Sequence, residues 1–191
     1  SFELVLMSKN IHYKEVLDLR INIHYLIRKT KRDLSVFRKL CKVIGDYKPD
    51  IVHCWESMTA VYVTPACKLF KCKLVNGIVT DSPVRQNIFN KHWLRAKLTF
   101  PFSDIVVGNS EAGLRAYKAP ENKSRVIRNG FDFSRIESLI DENLIRDQLN
   151  IKTPFIIGMV ASFSENKDYE TYFKSAEKIL SERDDVTFLA V

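Results

Sequence analysis

Short apolar runs alternate with segments of helical periodicity, and this alternation limits the fold more than any other feature of the chain. Strands are predicted at residues 2–7, 21–27, 50–54, 73–78, 104–107, 124–127, 155–160 and 186–191. Helices are predicted at 34–44, 57–70, 88–100, 134–150 and 169–180, with one more beginning after Ser110. Strands separated by helices form βαβ units. The sequence therefore predicts an α/β protein built on parallel sheets.

Composition agrees with a globular protein. Hydrophobic residues make up 46% of the 191 residues and charged residues 28%. No apolar run approaches the roughly 20 residues that cross a bilayer. The four cysteines lack CxxC pairing and zinc-ligand spacing, which favours free thiols in a reducing compartment. Because the chain opens inside a strand and closes on one, we expect both ends to be truncated.

Charge divides the chain into two parts. Residues 1–136 carry 24 Lys and Arg against 12 Asp and Glu, whereas residues 137–191 carry 6 against 11. This shift predicts two bodies with different partners. We predict a first domain at 1–132, a linker at 133–153 and the start of a second domain at 154–191.

A strand, a loop, one basic residue and a helix follow each other at residues 155–180. The apolar run ends in small polar residues, and Lys167 stands directly before the helical pattern. A helix N-terminus and an ammonium at such a turn favour an anion, typically a phosphate. The turn predicts a phosphate-binding loop.

Four segments together resemble one family. They read KPDIVHCWE at 48–56, DIVVGNS at 104–110, RVIRNGFD at 125–132 and GMVASFSENKD at 158–168. In their order and spacing they resemble group 1 (retaining, family 4) glycosyltransferases of GT-B fold. The likeness is strongest to the bacterial branch that builds surface polysaccharides such as capsule and lipopolysaccharide.

The resemblance implies two Rossmann-like domains, the first binding the acceptor and the second a nucleotide-sugar. The sugar would pass with retention to a polysaccharide or lipid-linked acceptor. The family needs no metal or other cofactor, since protein cations and helix N-termini neutralise the leaving diphosphate. It works in the cytoplasm, and lipid-linked acceptors would place it at the inner face of the plasma membrane.

The resemblance also assigns the donor loop. Lys167 matches the family's diphosphate lysine, and a solvated surface lysine is the alternative. Ser162 stands where many members have Arg, so a hydroxyl replaces a charge there. Lys167 would then carry more of the charge stabilisation.

The strand at 50–54 leads to three candidates in the first domain. His53 is the catalytic candidate, although a histidine after a strand is often a loop or core residue. Trp55 replaces a histidine common in the family, and it could stack on a sugar ring. Glu56 either orients a sugar hydroxyl or is an early acid in a helix capped by Ser57.

Further candidates follow later strands. Asp81 would accept a hydrogen bond from an acceptor hydroxyl or form an Asx turn. Asn109 and Ser110 cap a helix and could contact ligand. Asn129 and Gly130 predict a tight turn at the hinge, with glycine supplying its free φ.

The segment 85–100 holds four bases and no acid. Phe89, Trp93, Ala96 and Phe100 share one helical face. Such a helix could lie on an anionic membrane, but an ordinary core helix has the same aromatic stripe.

Three activities remain open from the residues and the resemblance. The first is glycosyl transfer, and the second is nucleotide-sugar 2-epimerisation on the same architecture. The third is nucleic-acid binding through the basic half, which the dispersed bases and the lack of a recognition motif disfavour. The family's paired glutamates and its first Gly-rich loop are absent, so we expect the 191 residues to be inactive alone.

Overall fold

The computed structural model describes residues 1–11, 13–30, 33–78, 89–137 and 139–191. Within them the chain forms two compact units, Ser1–Gly130 and Phe131–Val191. Residues 133–153 fall inside the second unit. The α/β class with parallel sheets, predicted from the alternation, is confirmed.

The described residues of the first unit form two parallel sheets. Strands β1 (Leu4–Leu6) and β2 (Ile23–Tyr25) form one pair. The second sheet has the order β3 (Ile51–Trp55), β4 (Lys73–Ile78), β5 (Ile105–Gly108) and β6 (Ser124–Val126). The helices are α1 (Ser35–Tyr47), α2 (Ser57–Phe70), α3 (Lys91–Thr99) and α4 (Glu111–Ala116).

One face of the four-stranded sheet forms the core of this unit. Cys54, Asn76 and Val106 are aligned in register across three strands, and all three are buried. The Asn76 amide is satisfied there, since its Nδ2 donates to Thr99 Oγ1 and Ser103 Oγ at 3.2 Å each. A buried amide with its partners in place stabilises one arrangement of helices on the sheet.

The second unit pairs β7 (Phe155–Met159) with β8 (Val186–Ala190) in parallel. Helices α5 (Glu142–Gln148) and α6 (Tyr169–Leu180) accompany them. Its buried hydrophobic residues are Tyr169, Ala176 and Val186, as far as the described residues show. Four of the five β7 residues are exposed.

Two local predictions are wrong. Glu56, not Ser57, occupies the N-cap of α2, and Ser57 is the first helical residue. Gly130 has no positive φ, and no turn is assigned at Asn129 or Gly130. The chain passes between the units in irregular backbone, so the glycine's conformational freedom is not used there.

The predicted cap at Ser110 is confirmed. Its Oγ accepts a hydrogen bond from the Gly113 N–H at 3.1 Å, and Glu111 lies in the first turn of α4. An acid in that turn is favourable because it faces the positive end of the helix dipole.

Candidate functional site

His53 and Trp55 project from the face of β3 opposite to buried Cys54. Their ring centroids lie 5.1 Å apart and their planes are inclined by 36°. Trp55 is 61% exposed and pairs in register with Gly77 of β4. The strand thus presents an imidazole beside an indole on the open side of the sheet.

Gly77 provides space for this arrangement. A Cβ at Gly77 would lie 3.0 Å from the Cys54 carbonyl oxygen and 3.4 Å from His53 Nε2. A side chain there would press on the β3 backbone and on the imidazole. The absence of a side chain at Gly77 therefore leaves room for the His53 ring beside β4.

His53 is exposed at its edge, yet neighbouring atoms remove part of the water around the ring. This desolvation lowers the pKa of His53 below its ordinary value of 6.5. The imidazole is consequently neutral at physiological pH. A neutral ring can accept a hydrogen bond or a proton from a hydroxyl group.

Glu56 has a backbone conformation that favours glycine. Its φ is 75° and its ψ is 152°, directly between β3 and α2. Its N–H donates to the Gly77 carbonyl at 3.2 Å, which holds the residue in place. Residues in this region cost about 1–3 kcal/mol and cluster at functional sites. The exposed carboxylate is therefore held at the end of β3 at a cost in stability.

Two polar contacts near this junction were not predicted. Ser57 Oγ lies 3.2 Å from His92 Nδ1, which joins the starts of α2 and α3. Asn90 caps α3, with its Oδ1 accepting from the N–H groups of His92 and Trp93 at 3.0 Å. An asparagine before a helical pattern is a cap signal that could have revealed Asn90. The Ser57–His92 contact spans 35 residues and has no local signal.

The remaining candidates of the first unit are dispersed. Asn109 and Ser110 follow β5, and the Ser110 hydroxyl is engaged in the α4 cap. Asp81 lies outside the described residues. Asn129 and Gly130 end the first unit.

In the second unit, the loop after β7 carries the phosphate candidates. Lys167 ends a 3-10 turn, Glu165–Lys167, and its N–H donates to the Ser164 carbonyl at 2.9 Å. Ser162 Oγ lies 3.1 Å from Ser164 Oγ. Hydrogen bonds through Ser164 therefore connect Ser162 to Lys167, and both side chains are exposed.

Asp168 limits what the α6 N-terminus can bind. It has a φ of 54°, and its carboxylate accepts from the Thr171 N–H at 3.2 Å. One N–H group expected to face an anion is thus occupied by the cap. The ammonium of Lys167 supplies the positive charge next to this cap.

Tyr169 fixes the loop after β7 through a ring stack and hydrogen bonds. The sequence analysis did not predict this role. Its ring stacks on Phe163 with centroids 4.2 Å apart. Its hydroxyl lies 2.7 Å from the Ala161 carbonyl oxygen and 3.1 Å from that of Val191. The loop is therefore anchored to Val191, the residue after β8, through a buried tyrosine.

The described part of the chain lacks two other kinds of feature. No three His, Cys, Asp or Glu side chains there lie close enough to hold a metal ion. No helix there has both the length and the hydropathy needed to cross a membrane.

Comparison with known proteins identifies relatives. The sequence model that describes the family Glycosyltransferase Family 4 matches residues 5–135 of this chain. The uncharacterized glycosyltransferase MJ1059 of Methanocaldococcus jannaschii is 22% identical in an alignment 156 residues long, which covers 74% of this chain and 38% of that protein.

Solved structures show the same fold at low identity. Anabaena Alr3699/HepE in complex with UDP has a TM-score of 0.68 and 15% identity, covering 97% of this chain and 60% of its own. A glycosyltransferase from Rickettsia africae has a TM-score of 0.61 and 18% identity, with 98% and 60% covered. A UDP-N-acetylglucosamine 2-epimerase has a TM-score of 0.59 and 16% identity, with 97% and 52% covered. The predicted GT-B architecture is confirmed, and the chain spans about 60% of the glycosyltransferase structures.

Proposed function

Because the chain belongs to Glycosyltransferase Family 4, we propose that the protein transfers a sugar from a nucleotide-sugar to an acceptor with retention. The observation that carries this proposal is the loop after β7, where Lys167 stands beside the hydrogen-bonded Ser162 and Ser164. An ammonium at this point stabilises the charge that develops on a leaving nucleoside diphosphate. HepE, which shares the fold, was crystallised with UDP and with UDP-glucose.

The loop contributes one charge and several neutral donors. Ser162 offers a hydroxyl where a cation would bind more strongly, so Lys167 carries the charge stabilisation of this loop. Protein cations and N–H groups do the work, and no metal cofactor takes part in the proposed reaction.

The end of β3 is the proposed acceptor side. His53 is neutral and can accept a hydrogen bond from a sugar hydroxyl, while Trp55 offers an exposed ring face for stacking. Glu56 orients a further hydroxyl through its strained, fixed position. Asn109 and Ser110 after β5, together with Asp81, complete the proposed acceptor contacts.

The proposed acceptor is a growing surface polysaccharide or its lipid-linked precursor. Such precursors lie at the cytoplasmic face of the plasma membrane, where we place the protein. Free thiols agree with a reducing compartment, since all four cysteines are unpaired.

Nucleotide-sugar 2-epimerisation is the second candidate, favoured by the fold shared with a 2-epimerase. Both reactions use the diphosphate contact at Lys167. They differ in the need for an acceptor, because an epimerase converts its nucleotide-sugar without one.

Incubation of the full-length protein with UDP-glucose and, separately, with UDP-N-acetylglucosamine distinguishes these candidates. The proposal expects UDP release that depends on an added lipid-linked acceptor, and a product whose anomeric proton shows retained configuration by NMR. Epimerised sugar formed without acceptor would favour the second candidate. An inverted product would contradict retaining transfer. A Lys178→Ala variant, altered at the other end of α6, serves as the control for Lys167→Ala.

A further inference from the structure

Helix α3 buries the aromatic stripe, which agrees with the alternative of an ordinary core helix, and it exposes another side. Ala96 and Phe100 of the aromatic stripe are buried and Trp93 is half-buried, so that stripe belongs to the core. Phe89, at the start of the stripe, is 89% exposed. Residues 85–88 lie outside the described part of the chain. A membrane contact would therefore have to use another face.

That other face carries leucines and bases. Spacings of three and four place its members on one side of the helix and its 3-10 extension. We call it the α3 ridge, which comprises Lys91, Leu94, Arg95, Leu98 and Phe102. Its apolar members expose 38%, 59% and 52% of their surface. Grouped exposed apolar side chains, unlike single ones, mark an interaction surface.

Further bases flank the ridge. Lys97 Nζ donates to the Lys118 carbonyl at 3.0 Å, and Lys123 Nζ donates to the carbonyls of Pro101 and Ser103 at 2.9 Å each. These bonds place two further cations nearby, Lys97 on α3 itself and Lys123 at the turn that follows it. No acid occurs between residues 82 and 103. The ridge is therefore an apolar strip inside a positive field.

We propose that the α3 ridge docks on an anionic lipid surface. Leucine and phenylalanine side chains enter the boundary between headgroups and acyl chains, while Lys91 and Arg95 reach lipid phosphates. Each base near such a surface adds attraction. The purpose of this docking rests on the proposed function, since docking would bring the enzyme to a lipid-linked acceptor. The ridge itself stands on its own geometry.

A nucleic acid fits this surface less well. Its phosphates would pair with Lys91 and Arg95. However, proteins that bind single-stranded nucleic acid also stack exposed aromatic side chains on the nucleobases. Of the apolar ridge members only Phe102 has a ring, whereas Leu94 and Leu98 have none, and their transfer from water into lipid is favourable. The observations thus favour lipid.

Helix α5 provides a matched control. Leu144 is 55% exposed there, close to the 59% of Leu98, but Glu142 and Asp147 accompany it. A leucine in acidic surroundings should not approach an anionic surface. Leu144→Glu therefore changes an exposed leucine without altering the proposed docking face.

The test is co-sedimentation of the purified chain with phosphatidylcholine vesicles, with and without phosphatidylglycerol, at low salt. We expect binding to the anionic vesicles and little to the neutral ones. The Leu94→Glu/Leu98→Glu and Lys91→Gln/Arg95→Gln variants should each bind more weakly, the latter by roughly 30-fold for two lost charges. Leu144→Glu should bind like the unaltered chain, and unchanged circular dichroism would show that each variant folds.

Three outcomes would overturn the inference. They are absence of binding to anionic vesicles, equal binding to neutral ones, and undiminished binding by both ridge variants. Tighter binding to single-stranded DNA than to anionic vesicles would assign the surface to nucleic acid instead. A UDP titration of the same preparation keeps the two proposals apart, because UDP binding that persists without vesicle binding removes the docking surface alone.

Discussion

The two units differ in how they hold their proposed site residues. In the first, His53 and Trp55 stand on a strand whose other face is buried, and Val106 and Leu74 beneath are at most 1% exposed. In the second, Lys167 lies on a loop after a strand whose residues Phe155 and Ile157 are 54% and 41% exposed. Buried contacts set local stability. The proposed acceptor side is therefore preorganised, whereas the proposed donor loop depends on a few specific contacts.

Charge separates the units in the same way. Residues 1–130 carry 23 Lys and Arg against 11 Asp and Glu, and residues 131–191 carry 7 against 12. A lysine in an acidic unit attracts an anion by its local geometry rather than by a general field. Binding of a diphosphate to the second unit would thus be due to the geometry of the loop after β7.

The largest predicted effect concerns burial. Leu74→Ala should lower the free energy of unfolding of the first unit by about 2–5 kcal/mol, because it empties space in a packed core. Ile157→Ala in β7 should cost clearly less, since 41% of that residue already meets water. Urea denaturation of both variants checks the difference, and equal losses would break the comparison between the units.

Backbone strain gives the next effect. Glu56→Gly should stabilise the first unit by about 1–3 kcal/mol, because glycine adopts a φ of 75° without penalty. Glu56→Ala removes the same carboxylate and keeps the strain, so it is the matched control. The two variants are compared by their urea midpoints, and a stabilisation no larger for glycine than for alanine would refute strain at this junction.

The tyrosine that anchors the loop after β7 gives a smaller effect. Tyr169→Phe removes the hydroxyl that contacts the Ala161 and Val191 carbonyls, at a cost of about 1 kcal/mol. Amide hydrogen exchange in residues 161–168 should accelerate, while exchange in β3 and β4 should not change. Acceleration in both units would mean that the loop is not anchored separately.

The smallest effect is a pH dependence from His53. Its pKa is lower in the folded chain than in the unfolded chain, so the unfolded state binds the proton first. Stability from this group is present above pH 6.5 and falls as the pH drops through the folded pKa. His53→Gln should flatten that part of the curve of urea midpoint against pH. A slope unchanged by the substitution would show that the ring is not desolvated.

Regular elements could be predicted from the sequence, and long-range contacts could not. The bounds of β4 and α6 agree with their predicted ranges because hydrophobic period and flanking residues are local signals. The φ of Glu56 has no such signal, since its strain is maintained by the Gly77 carbonyl on another strand. The prediction of a turn at Gly130 was wrong for the converse reason, because a glycine permits a turn without requiring one.

In the candidate site too, local features could be predicted from the sequence and long-range contacts could not. Lys167 and His53 could be selected from their positions after apolar runs. The 4.2 Å stack of Tyr169 on Phe163 and the Ser57–His92 contact depend on packing between elements. The exposed face of α3 was missed because periodicity alone does not tell which face a helix buries, and the aromatic stripe was the more obvious one.

A titration of the isotope-labelled chain with UDP tests the central claim most directly. We predict saturable amide shifts centred on residues 161–171, and a loss of affinity of roughly 10- to 100-fold in Lys167→Ala, as for a lost hydrogen bond to a charged group. Lys178→Ala should bind UDP like the unaltered chain. Shifts centred elsewhere, or equal UDP affinity for Lys167→Ala and the unaltered chain, would contradict the assignment of the donor loop.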